Sequence, residues 1–133
     1  MTAEEKYAYW HELAQYDLES ADSMFISGRW YHVVFMCQQA IEKLCKGLYT
    51  LYLDDNVPKV HNIKQIFLSF EEKLAFTVDE EKYHLFDSLS AHYLITRYPD
   101  FSGQPNRQVG KNEAELLLSK TREVFSWLLT LKP

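Results

Sequence analysis

The sequence predicts an all-α fold, an antiparallel up-and-down bundle of about five helices. Apolar residues recur every three to four positions along almost the whole chain, which is the spacing of a buried helix face. Only 4 Gly and 4 Pro occur among the 133 residues, too few for the frequent turns of a β-sandwich. The chain shows no repeat and no linker, so we expect residues 1–133 to form a single domain with one hydrophobic core.

The first two predicted helices form a hairpin. A capping box, Thr2-x-x-Glu5, opens the first helix, which runs to about Ser27 and stops before Gly28. A second helix, over about residues 30–53, follows after a very short connection, which predicts an antiparallel pair. Because its apolar residues cover roughly half of the circumference, we place the second helix centrally in the bundle.

Three further helices complete the predicted bundle. The third spans about residues 62–74, and a second capping box, Thr77-x-x-Glu80, opens the fourth. The fourth helix ends near residue 96, and residues 97–111 form the one long loop. Asn112 is then expected to cap the last helix.

Composition excludes several classes of protein. The net charge of −5 argues against general DNA binding, which needs many Lys and Arg side chains. The acidic first residues and the lack of a long apolar run predict neither a signal peptide nor a membrane span. Cys37 and Cys45 lie about 12 Å apart along one helix, too far for a disulfide. We expect them to be free core thiols in a reducing compartment, and the protein to be cytoplasmic.

Motifs for metal or cofactor chemistry are missing from the sequence. The 5 histidines include no HExxH motif and no pair at i,i+4 spacing, and neither cysteine belongs to a CxxC motif. No glycine-rich phosphate loop is present, and nothing marks a Ser or Cys as an activated nucleophile. We therefore expect no metal site and no cofactor.

Two polar residues interrupt apolar helix faces. Asp17 lies in the middle of the first helix's apolar stripe, and His92 is aligned with apolar residues of the fourth helix. A buried carboxylate needs partners or takes up a proton. One interpretation is a polar contact inside the bundle, including one between these two side chains. The other is a pocket with a tuned imidazole.

A polar face of the second helix is a further candidate. It falls within one arc of about 100° opposite the apolar side and consists of Gln39, Glu42, Lys43 and Lys46. One interpretation is a solvated stripe with a Glu42–Lys46 pair at i,i+4 spacing. The alternative is a face turned to a ligand or a partner chain.

Several motifs together resemble the HEPN (higher eukaryotes and prokaryotes nucleotide-binding) domain family. They are Gln38-Gln39-Ala40-Ile41-Glu42-Lys43 with Lys46, then Pro58 with His61-Asn62-Ile63, then Arg97-Tyr98-Pro99-Asp100. The resemblance covers roughly residues 8–130. It implies an antiparallel helical bundle, commonly a homodimer, in the bacterial or archaeal cytoplasm. Members often work beside a small, separately encoded nucleotidyltransferase as a toxin–antitoxin or defence pair.

Several members of the family are metal-independent RNases whose motif is Arg, four to six residues, then His. In this chain the positions where that His would follow Arg97 hold Ser102, Gly103 and Gln104. His92 precedes Arg97 instead, about 140° away on a helix. Arg97 and His92 are therefore weak catalytic candidates, because general acid–base cleavage lacks its best-placed imidazole.

The loop that begins at Arg97 is the predicted ligand site. Its candidate nucleotide- or anion-binding residues are Arg97, Tyr98, Asp100, Arg107 and Lys111. The loop contains three basic residues and one acidic residue, in a chain whose net charge is negative. Tyr98 and Phe101 offer aromatic rings on which a base can stack. The helix start at Asn112 supplies free backbone N–H groups. The alternative is a structural loop whose arginine pairs with an acid.

Three hypotheses of function follow from these patterns. The leading one is a helical module that binds a nucleotide, RNA or a nucleotidyltransferase partner and forms a homodimer. The second is an RNase with displaced catalytic groups. The third is a ligand-free dimerisation bundle.

Overall fold

The structure, a computed structural model, describes residues 1–97 and 109–133. Within these ranges the chain forms five α-helices and no strand, as the sequence predicts. They are α1 (Ala3–Ile26), α2 (Trp30–Tyr52), α3 (Ile63–Glu71), α4 (Glu80–Arg97) and α5 (Lys111–Leu129).

The hairpin of α1 and α2 forms as predicted. The Thr2 hydroxyl accepts a hydrogen bond from the Glu5 backbone N–H at 3.1 Å, and the Glu5 carboxylate accepts from the Thr2 N–H at 3.0 Å. The capping box is therefore confirmed. At the other end, Gly28 has φ +73°, a left-handed conformation that glycine adopts without a steric cost. This residue lets the chain reverse direction between the two helices.

The central position of α2 is also confirmed, since it packs against all four other helices. Its approach to α1 is close. A Cβ atom on Gly47 would lie 2.9 Å from the Cβ of Trp10 and 3.2 Å from the ring of Tyr7. Only a residue without a side chain allows this helix contact.

The boundaries of α3 and α4 differ partly from the prediction. The Asn62 side chain accepts from the Gln65 N–H at 2.9 Å, so α3 begins where expected. It ends at Glu71 rather than near residue 74. The backbone N–H groups of Lys73 and Leu74 donate to carbonyls three residues earlier in the chain, not four as in an α-helix. The predicted cap at Thr77 is wrong. The Asp79 carboxylate caps α4 instead, accepting from the Lys82 N–H at 3.3 Å.

The predicted cap of the last helix is also wrong. Gly110 occupies the N-cap position of α5, and no side chain caps the helix. Since the helix starts at Lys111, Asn112 already lies inside the first turn, where its side chain cannot serve as the cap.

The core is rich in aromatic residues. The centroid of the Phe67 ring lies 5.0–6.1 Å from the ring centroids of Phe70, Tyr83, Phe86 and Trp127. These ring contacts connect α3 with α4 and α5. Cys37 and Cys45 are buried free thiols, as predicted. Burial raises the pKa of Cys37 to about 12 and also raises the pKa of Cys45. None of the described helices is long and apolar enough to cross a membrane.

Candidate functional site

The polar face of α2 is buried rather than solvated. Glu42 is only 4% exposed and Lys46 8%, while Gln39 and Lys43 are half-buried. The predicted pair of Glu42 and Lys46 is present at 3.1 Å. The interpretation of this face as a solvated stripe is nevertheless wrong, because Asp17 of α1 and His61 of the segment before α3 contact it. Charged groups at such depth require several partners each.

Glu42 is the centre of a hydrogen-bond network. Its Oε1 accepts from the Gln38 amide at 2.8 Å, and its Oε2 accepts from the Lys46 ammonium at 3.1 Å. The Nδ1 of His61 lies 3.2 and 3.3 Å from the two oxygens. The Gln38 amide also donates to the His61 carbonyl at 3.1 Å. Two turns of α2 thereby fix both the backbone and the ring of His61.

The His61 ring packs against an aromatic residue while its side chain remains partly exposed. The ring stacks on Tyr93 with 4.9 Å between centroids, and Tyr93 stacks in turn on Phe35 at 6.1 Å. The His61 side chain is 53% exposed. Because the Glu42 carboxylate can only accept, we assign the hydrogen to Nδ1. The Nε2 atom has no hydrogen-bond partner among the residues that the structure describes.

Asp17 and Lys43 form a second ion pair beside this network. The Lys43 ammonium donates to the buried Asp17 carboxylate at 2.6 Å and ties α1 to α2. The polar contact predicted for Asp17 inside the bundle is thus present, but its partner is Lys43. A contact between Asp17 and His92 does not form.

His92 links α4 to α5. Its Nδ1 lies 2.8 Å from the Ser88 carbonyl, and its Nε2 lies 2.8 Å from the Glu113 carboxylate. Both ring nitrogens are therefore engaged. This arrangement holds the last turns of α4 against the first turn of α5, on either side of residues 98–108.

The predicted ligand loop is only partly within the described residues. Tyr98, Asp100, Phe101 and Arg107 lie outside them. Arg97 is the last residue of α4, one helical turn beyond Tyr93, and Lys111 is the exposed first residue of α5. The backbone N–H groups at the start of α5 donate no hydrogen bond to a side chain at the N-cap position, which Gly110 occupies.

Two residues of the site, His61 and Gln38, were not predicted from single sequence patterns. Both occur in the motifs that carry the family resemblance, but neither stands out by type or spacing. One available signal is the i,i+4 spacing of Gln38 and Glu42 on α2, and in the structure the Gln38 amide is fully buried. Across residues 1–97 and 109–133, no group of three or more His, Cys, Asp and Glu side chains is placed to hold a metal ion.

Comparison with known proteins identifies relatives of the whole chain. The model of the HEPN domain matches residues 7–131. The crystal structure of TT1696 from Thermus thermophilus is 26% identical, with a TM-score of 0.83 over 94% of this chain and 97% of that one. The structure of ST0689, an archaeal HEPN homologue, is 21% identical, with a TM-score of 0.73 over 100% and 99%. No curated protein matches the chain.

Proposed function

The chain belongs to the HEPN domain family, and from this premise we propose that it is a module that binds a nucleotide or RNA. The proposed site comprises His61, Tyr93 and the end of α4 at Arg97, together with the start of α5 at Lys111. The observation that supports it best is His61, an imidazole fixed on one nitrogen by a buried carboxylate and open on the other. Two buried polar side chains, Glu42 and Gln38, hold the ring and the backbone of this partly exposed histidine.

The open nitrogen suits a ribonucleotide in either protonation state. When the ring is neutral, Nε2 accepts a hydrogen bond from a ribose hydroxyl. When the ring is protonated, Nε2 donates to a phosphate oxygen. The buried Glu42 carboxylate fixes the orientation of the ring, since it lies within hydrogen-bond distance of Nδ1. A ligand with both hydroxyl and phosphate groups therefore fits this position.

The helix ends next to this position supply charge for an anion. Arg97 follows Tyr93 by one turn of α4, and an arginine offers a planar pair of donors to phosphate oxygens. Lys111 and the uncapped N-terminus of α5 add a cation and free backbone donors. Tyr98, Asp100 and Arg107 belong to the same proposed site by their place in the sequence.

The proposal includes two protein partners. We infer a homodimer, because exposed Leu94 and Leu116 leave apolar surface that a second copy would cover. We also infer a separately encoded nucleotidyltransferase, as in a toxin–antitoxin or defence pair, from family membership. The two free thiols favour the reducing cytoplasm as the compartment.

The ligand proposal is tested by titrating the wild type with ATP and with a short single-stranded RNA at two salt concentrations. Arg97→Lys should weaken binding roughly ten- to a hundredfold, because one charge-assisted hydrogen bond contributes about 1.5–3 kcal/mol. His61→Asn should weaken it as well, since Asn can still donate to Glu42 but has no atom at the Nε2 position. Both losses should shrink as salt rises.

The control is Lys73→Ala, which removes an exposed cation after α3. It should bind as the wild type does. A wild type that binds neither ligand contradicts the proposal, as does a His61→Asn variant that binds with unchanged affinity. Thermal unfolding of each variant shows whether a loss of binding reflects a loss of fold.

A further inference from the structure

An open groove lies between α4 and α5 on the surface of the bundle. Its volume is about 300 Å³, and its apolar residues are Leu85, Leu117, Val124 and Trp127. The floor is thus formed by side chains that belong to the core. A groove of this kind offers apolar contact area next to solvent.

One flank of α5 borders this groove with a regular stripe. The α5 stripe consists of Leu116, Lys120, Glu123 and Trp127. Its steps of four, three and four residues place all members within about 60° of one another around the helix. Leu116 is 54% exposed, although it is a large apolar residue.

The two charges of the α5 stripe lack an ion-pair partner in the part of the chain that the structure describes. Lys120 and Glu123 are exposed, and neither forms an ion pair with any residue in the described ranges. Their neighbours behave differently, since Lys82 pairs with Asp79 at 3.0 Å and Arg122 pairs with Asp22. The stripe therefore has an apolar residue at each end and one free charge of each sign between them.

This order is self-complementary. If two α5 helices cross antiparallel about a point between residues 121 and 122, Lys120 lies opposite the partner's Glu123. The same operation places Leu116 opposite the partner's Trp127, beside the groove. A two-fold axis repeats each contact, so the interface contains two opposite-charge pairs and two apolar contacts. A parallel arrangement with the two stripes in register would place like charges together.

We propose that the α5 stripe and the adjoining groove form the homodimer interface, with a second copy of this chain as the occupant. This inference rests on the homodimer included in the proposed function and specifies its surface. The self-complementary order of charges favours a second copy, because a different partner would need no such symmetry. The partner's Leu116 enters the groove beside Trp127, where the apolar lining residues lie among polar and charged ones.

The experiment is a charge swap, with molecular mass measured by light scattering over a dilution series. Lys120→Glu alone and Glu123→Lys alone each create two like-charge pairs per dimer. Each should raise the dimer dissociation constant at least about tenfold. The double variant restores two opposite-charge pairs and should dimerise as the wild type does.

A mixture of the two single variants gives the sharpest result. A Lys120→Glu chain and a Glu123→Lys chain form two opposite-charge pairs with each other. A tagged Lys120→Glu chain should therefore retain untagged Glu123→Lys but not untagged Lys120→Glu. The controls are Lys73→Glu and Glu19→Lys, equivalent reversals at exposed positions on other parts of the surface, which should leave the dimer intact.

The outcomes separate the interface from the dimer itself. A wild type that stays monomeric at tens of micromolar, far above a dissociation constant of about 1 μM, overturns both the interface and the proposed homodimer. A wild-type dimer that both single reversals leave unchanged overturns the interface alone. Neither result bears on ATP or RNA binding, which the titration of Arg97→Lys and His61→Asn measures separately.

Discussion

Glu42 has almost no contact with solvent, yet it stabilises the fold as an anion because three donors surround it. Its carboxylate meets Gln38, Lys46 and His61 within 3.3 Å. Each donor compensates part of the free energy lost when the charge leaves water. Lys46 depends on the same contact, because it is buried and has no other acidic partner within the described residues.

Glu42→Ala should therefore destabilise the protein strongly. The substitution leaves the Lys46 ammonium buried and unpaired, which typically costs about 3–5 kcal/mol. Urea denaturation measures the free energy of unfolding of both proteins. Glu19→Ala removes an exposed carboxylate on α1 and should change that energy by less than about 0.5 kcal/mol. A loss below about 1 kcal/mol for Glu42→Ala would contradict the structural role of the network.

Residue type alone could not predict this network. Gln, Glu and Lys are usually exposed, so residue type alone is consistent with a solvated α2 face as well as with one turned to a ligand or a partner chain. Its burial depends on how α1 and the segment before α3 pack over it, which no local pattern encodes. Asp17 illustrates the limit further: its place in an apolar stripe predicted a buried polar contact, but the partner lies 26 residues away on another helix.

At the scale of helices, periodicity predicted their number, order and approximate ends. A buried helix face has an apolar residue at each turn, so several residues support the same helix prediction. One atypical residue therefore does not change that prediction. Caps were predicted less well, since each depends on one residue. The last helix starts after Gly110 and the fourth after Asp79, at sites where local backbone geometry decides between neighbouring candidates.

The contact between α1 and α2 depends on the missing side chain of Gly47. Gly47→Ala should lower the free energy of unfolding by about 1–3 kcal/mol, because the new Cβ would lie 2.9 Å from the Trp10 Cβ. The clash should exceed the gain of about 1 kcal/mol in helix propensity. At Gly110 a Cβ would meet nothing within 4 Å, so Gly110→Ala carries no clash and only the cost of Ala at an N-cap, which should be smaller than the loss for Gly47→Ala. A Gly47→Ala protein as stable as the wild type would show that α1 and α2 can move apart at little cost.

At the scale of the whole molecule, one aromatic contact links the buried network to the end of α4. Tyr93 touches His61 through its ring and lies four residues before Arg97 on α4. Next to it, His92 holds the start of α5 through Glu113. Two consecutive residues of α4 thus join the Glu42 network to the proposed ligand site. Sequence patterns predicted the two parts separately but not this connection, which requires the packing of α3 against α4.

The same arrangement predicts binding of RNA without cleavage. Transfer of the phosphodiester to its own 2′-hydroxyl needs a base for that proton and an acid for the leaving oxygen. Among the described residues, His61 offers one nitrogen without a hydrogen-bond partner, whereas both nitrogens of His92 lie 2.8 Å from an oxygen acceptor. The purified protein should therefore leave single-stranded RNA intact over hours in the absence of metal ions. Gel analysis of a labelled RNA measures this directly.

Cleavage that disappears in both His61→Asn and Arg97→Ala would instead establish the protein as an RNase with displaced catalytic groups. Cleavage that persists in both variants would point to a contaminating nuclease.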